Sequence, residues 1–146
     1  MSLGSKSKSQ AEKLRKPVYK RDHHECVACG YAWTSGRMPV DQLSIQHRVG
    51  RGMGGSALYD KTASSLITFC IWHNVQETAD ADFHKLCLHN GWSVPRWVPE
   101  RRWPMESVPV RYVDGWFFLV GLERVGVKRG VAEERMVEIY GPDFLG

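Results

Sequence analysis

The sequence predicts an α+β fold: a small zinc-stapled unit, extended at its C-terminal end by a β-hairpin and a short helix. Three observations predict it. Two knuckles, Cys26-x-x-Cys29 and Cys70-x-x-His73, bracket short runs suited to strands. A segment with helical spacing follows the second knuckle. Further on, Asp114-Gly115 separates two apolar runs in the manner of a hairpin turn.

The chain has 146 residues, enough for one domain and an appended subdomain. Its 20 Lys and Arg against 16 Asp and Glu give a formal charge of +4 and a pI near 9.0, which suits a polyanionic partner without requiring one. It contains no apolar run of the roughly 18 residues that would suggest a membrane span. The N-terminus lacks the apolar core of a signal peptide. The expected location is therefore a reducing cytoplasm, where cysteines serve as metal ligands or core residues rather than disulfides.

Residues 1–17 are polar and basic. They read either as a solvated tail or as a flexible arm adding phosphate contacts through Lys13, Arg15 and Lys16. Order is expected from Val18. Cys26 to Gly30 reads as a tight metal knuckle, with Gly30 letting the backbone curl. Leu43 to His47 fits a short strand, and a Gly- and Arg-rich loop follows it. Ser64 to Phe69 fits a second strand or an extended connector. From Asn74, the residues Val75, Ala79, Phe83 and then Leu86 or Cys87 recur at helical spacing, which predicts one apolar face. Asp80 can cap a separate helix, and Gly91 stands where a helix stops.

Trp92 to Pro109, rich in Trp and Pro, is expected to drape over the domain. The hairpin is expected over Val108–Val113 and Trp116–Leu122. Ala132, Met136, Ile139 and Tyr140 form a helical stripe ending at Gly141-Pro142.

Two constellations carry chemistry. Cys26, Cys29, Cys70 and His73 supply the four soft or borderline ligands that a tetrahedral zinc takes. Cys87 falls on the apolar stripe, which favours a buried thiol. His23, His24, His84 and His89 read as surface residues. In S-I-Q-H-R-V-G-R-G-M-G-G-S, residues 44–56, His47 can accept a proton near neutral pH. Arg48 and Arg51 suit phosphate oxygens, and the glycines open the backbone to an anion. By itself this segment also fits an ordinary loop.

Together with C-V-A-C-G and S-S-L-I-T-F-C-I-W-H-N, that segment resembles the HNH endonucleases, closely the small ones encoded by tailed bacteriophages. The resemblance runs from about Val18 to Trp97, with three separated motifs in order. It implies a ββα-metal finger, with 18–97 as an HNH nuclease domain and 98–146 as a Trp-rich extension. It implies metal-dependent hydrolysis of double-stranded DNA in a host bacterial cytoplasm, beside the large terminase subunit of a packaging machine.

By position, the resemblance makes His47 the general base. Gln46 and Asn74 become ligands of a catalytic Mg²⁺, Mn²⁺ or other divalent ion, and Ser65 the brace of the base loop. Beside them, Arg48 and Arg51 are expected to neutralise charge on flanking phosphates and aid the pentavalent state. Gln46 stands where the family usually has Asp or His, and Ser65 where it has Asn. His73 fits either the zinc or the catalytic ion. A zinc-knuckle DNA-binding or packaging-accessory protein with weakened cleavage is the other reading.

Overall fold

A computed structural model describes residues 10–30, 42–50 and 62–146. The first element, α1 (Gln10–Arg21), buries Ala11, Val18 and Arg21 along one side. Ala11 and Val18 pack with Ala63 and Leu66, which explains why order begins before Val18. The flexible-tail expectation is thus corrected for residues 10–17, which form a docked helix. After α1, His23 and His24 take left-handed backbone angles, φ 59 and 54°, and turn the chain toward the first knuckle.

Strands β1 (Leu43–His47) and β2 (Leu66–Cys70) pair antiparallel, from Leu43 opposite Cys70 to His47 opposite Leu66. A 3₁₀ turn, Ala63–Ser65, leads into β2. Helix α2 (Ile71–Ala79) follows β2 without a loop, and the Cys70 sulfur caps it by accepting from the His73 N–H at 3.4 Å. Asp80 ends α2 and caps α3 (Ala81–His89), accepting from the Phe83 N–H at 3.0 Å, so the expected break is present.

The apolar stripe expected through α2 is not buried. Val75 is 54% exposed and α2 buries no residue, because its inner side is polar: His73, Asn74 and Glu77 make its inward bonds. Only in α3 does the stripe reach the core, through Cys87.

Helix α3 stops at Gly91, φ 73°. The N–H groups of Gly91 and Trp92 return to the carbonyls of Leu88 and Cys87, the double closure that a left-handed glycine permits. A Cβ at Gly91 would lie 1.9 Å from the Pro109 carbonyl oxygen, so the helix end also needs glycine for close approach. The chain then wraps through α4 (Trp97–Glu100) and a 3₁₀ turn, Met105–Ser107.

The C-terminal sheet has three strands, β3 (Val110–Tyr112), β4 (Gly115–Val120) and β5 (Glu123–Val127), in a meander. Tyr112 pairs with Gly115, so the two-residue turn is Val113-Asp114, one position earlier than expected. Strand β5 was not anticipated from the sequence; Val120 pairs with Glu123 across a turn at Gly121-Leu122. Helix α5 (Arg129–Tyr140) buries Ala132, Met136 and Ile139 and ends at Gly141, as the stripe predicts.

One core cluster joins Cys26, Phe69, Cys87 and Trp92 to Val110, Tyr112 and Leu119. Packing is therefore continuous across position 97, and the extension shares the core of the knuckle region. Among the described residues, no helix is long and apolar enough to cross a membrane.

Candidate metal centre and active site

The first knuckle is shaped by backbone bonds. The Gly30 N–H closes onto the Cys26 carbonyl at 2.7 Å, with Gly30 at φ 72°, and the Val27 N–H reaches the Thr68 carbonyl at 2.9 Å. That second bond lays the knuckle along β2, whose last residue is Cys70. One turn into α2, His73 turns its ring back over Cys70. The ligand atoms of Cys26, Cys29, Cys70 and His73 all lie within 4.8 Å of one another. The His73 Nδ1 is 3.1 Å from the Cys70 sulfur and 3.6 Å from that of Cys26.

Ligand atoms around a tetrahedral zinc stand roughly 3.5–3.8 Å apart, given Zn–S near 2.3 Å and Zn–N near 2.0 Å. The donor set and its spacing are therefore compatible with zinc. Hydrogen bonding from Cys26 and Cys29 holds the Cys70 thiolate far below the ordinary thiol range. The same crowding pushes the Cys26 thiol up. Burial raises Cys87 to about 12, and Cys87 lies outside the four-residue cluster, as its place on the stripe suggested.

The residues expected at the reacting phosphate are distributed differently. Gln46 is buried, and its Nε2 donates to the Trp92 carbonyl at 3.3 Å and the Ser93 Oγ at 3.4 Å. Asn74 donates its Nδ2 to the Ser44 Oγ at 2.8 Å and the Ile45 carbonyl at 3.0 Å, tying α2 to β1. Both amides thus spend their N–H groups on the protein. Each keeps a carbonyl oxygen as its only atom suited to a hard cation.

Strand alternation separates Gln46 from His47. Gln46 lies opposite Ile67, on the side of the Cys26–Cys87–Trp92 cluster. His47, half-buried, lies opposite Leu66, on the side covered by α1.

Ser65 is buried, and its Oγ lies 2.9 Å from the Thr62 Oγ1. Its backbone carbonyl accepts the Arg48 N–H at 2.9 Å, so it braces the residue after His47 through the main chain. Lys13, Arg15 and Lys16 are exposed on α1. Arg51 and the glycines at 52, 54 and 55 lie outside the described residues.

Arg48 requires correction. Its side chain is 0% exposed. Nε donates to the Gly91 carbonyl at 2.8 Å, the two terminal nitrogens to Ser64 and Val108 at 2.8 and 2.9 Å, and Met105 completes the shell at 3.4 Å. Burial lowers its pKa to about 10, so it remains charged at neutral pH. A guanidinium enclosed by four carbonyls is unavailable to phosphate; it ties together segments that would otherwise leave carbonyls unpaired.

Other polar anchors carried no sequence signal. The buried Asp22 carboxylate receives Arg21 at 2.9 Å, the Thr68 N–H at 2.9 Å and the Tyr112 hydroxyl at 2.6 Å. Glu77 accepts from Ser93 at 2.9 Å and lies 2.8 Å from the ring of His84. His89, read as a surface residue, is half-buried, with its Nε2 2.8 Å from the Phe144 carbonyl. No family model, curated protein or solved structure matches the chain.

Proposed function

We propose that the chain is a metal-dependent DNA endonuclease of the HNH type, built on a ββα-metal finger clasped by a structural zinc. The observation that carries this reading is the unit from Leu43 to Ala79: an antiparallel hairpin with a histidine at the end of its first strand, and a helix bonded to that strand through Asn74. The Cys26–Cys29–Cys70–His73 cluster fixes the start of that helix to the hairpin.

In the proposed reaction, the His47 imidazole takes the proton of the attacking water. Asn74 and Gln46 would hold a divalent ion through their amide oxygens, and that ion would supply the charge that polarises the phosphate and stabilises the leaving 3′-oxygen. Ser65 and the buried Arg48 act as positioning residues, holding the chain on which His47 rides.

The test is relaxation of supercoiled plasmid across Mg²⁺, Mn²⁺, Ni²⁺ and Zn²⁺, with His47→Ala beside the wild type. Loss of a general base lowers the rate by about 10² to 10⁴. His47→Ala nicking at the wild-type rate, in a protein of unchanged fold, would remove His47 as the base.

One observation favours a second reading, a zinc-knuckle DNA-binding or packaging-accessory protein without cleavage. Gln46 stands in place of the usual Asp or His, and its amide is engaged by Trp92 and Ser93. Duplex binding without divalent-dependent nicking would select it.

A further inference from the structure

The positive charge of this chain is concentrated in one helix. Helix α1 holds Lys13, Arg15, Lys16, Lys20 and Arg21 against a single acid, Glu12, which equals the formal charge of +4 for the whole chain. Every other residue together sums to neutral. Arg21 turns inward to Asp22, but Lys13, Lys16 and Lys20 are exposed and fall at i, i+3 and i+7 on the side of α1 opposite Ala11 and Val18. Lys16 and Lys20 make no ion pair among the described residues. Seven residues of helix rise about 10.5 Å, the axial rise of roughly three base pairs of duplex.

The lysine row ends in a surface pocket. Lys16, Lys20 and His23 form one wall, and Leu122 and Arg124 of the β4–β5 hairpin form the other. Arg124 is held in place: its guanidinium lies 4.7 Å from the Tyr112 ring centre and 4.2 Å from that of Phe117. Asp114 accepts from it at 3.1 Å, and the His23 ring nitrogen is 3.4 Å away. Helix α1 also covers the side of the hairpin on which His47 lies, since Leu66, opposite His47, packs under it.

We propose that the exposed side of α1 docks the phosphate backbone of double-stranded DNA at a site separate from His47, with Arg124 of β5, paired to Asp114, bordering its end. This deepens the nuclease reading by naming where the duplex rests, yet it requires no cleavage. Contacts made by lysines to phosphate carry no base information, so the docking is sequence-independent. A bilayer with anionic headgroups is the competing partner, because Val120 and Leu122 are exposed on the same hairpin.

The experiment is fluorescence anisotropy on a labelled duplex over a range of salt, using the full chain. The double variant Lys16→Gln/Lys20→Gln is compared with Lys85→Gln, an exposed lysine on α3. Each lost phosphate contact lowers the slope of log K against log salt by about 0.9. The double variant is therefore expected to lose about two units of slope and bind at least about tenfold more weakly at low salt, with Lys85→Gln unchanged. If DNA binding follows the lysines but no protein nicks DNA, the docking site stands and the nuclease reading falls. Wild-type affinity and slope in the double variant would overturn the site. So would binding to phosphatidylserine vesicles, lost in the double variant while its DNA binding is intact.

Discussion

A guanidinium whose hydrogen bonds all end on carbonyl oxygens, with no carboxylate in hydrogen-bond reach among the described residues, is the position of Arg48. Its donors end on Ser64, Gly91, Met105 and Val108, the points where the 3₁₀ turn, the α3 terminus and the wrapping segment meet. Removing it orphans several buried acceptors at once. Arg48→Met, similar in length, should lower stability by roughly 3 to 5 kcal/mol, a large share of a small domain's total. The midpoint of urea unfolding reads this directly. A variant with the wild-type midpoint but weakened DNA binding would return Arg48 to the phosphate. Beside His47 in a Gly- and Arg-rich run, Arg48 resembled a phosphate ligand; nothing local reveals that four carbonyls from distant segments converge on it. Asp22 was hidden for the same reason, since its partners Thr68 and Tyr112 are 46 and 90 residues away.

At the scale of elements, the convergence of the two knuckles was legible because a zinc-compatible ligand pair is a local pattern. Two ligands three residues apart need one turn, and the pairing of the knuckles follows from the lack of other thiols suited to it. Helix α2 was less legible. Its spacing predicted a helix, which is present, but the side that faces inward is set by His73, Asn74 and Glu77 rather than by Val75. With no buried apolar residue, α2 depends on polar bonds and on the cluster at its first turn. Cys29→Ser should therefore detach more than one ligand. Structural zinc in such knuckles contributes on the order of 10 kcal/mol, so loss of a ligand should leave the chain poorly folded. Metal analysis should find one zinc per wild-type chain and far less in the variant. A folded wild-type protein holding well under one zinc would contradict the assignment. Strand β5 escaped notice because Glu123–Val127 interrupts its apolar residues with charge and glycine; its pairing comes from β4, not from its own pattern.

Across the whole molecule, the C-terminal half is not an appendage. Tyr112 and Leu119 share a cluster with Cys26 and Phe69, Trp92 donates to the Arg111 carbonyl at 2.7 Å, and β5 supplies Arg124 to the basic pocket beside α1. The resemblance located the division at 97, whereas the core is continuous there. The two proposed metal roles would differ in donor chemistry: the thiols and imidazole of the Cys26–Cys29–Cys70–His73 cluster suit zinc, whereas neutral amide oxygens at Asn74 and Gln46 would hold a hard ion weakly. This difference makes the roles separable. The decisive measurement is plasmid nicking by zinc-loaded protein dialysed free of loosely bound ions, before and after millimolar Mn²⁺ is added, with zinc content measured in the same samples. Nicking should be absent after dialysis and restored by Mn²⁺ while zinc stays at one per chain. Failure of every divalent ion to produce nicking by the folded, zinc-loaded protein would contradict the nuclease account.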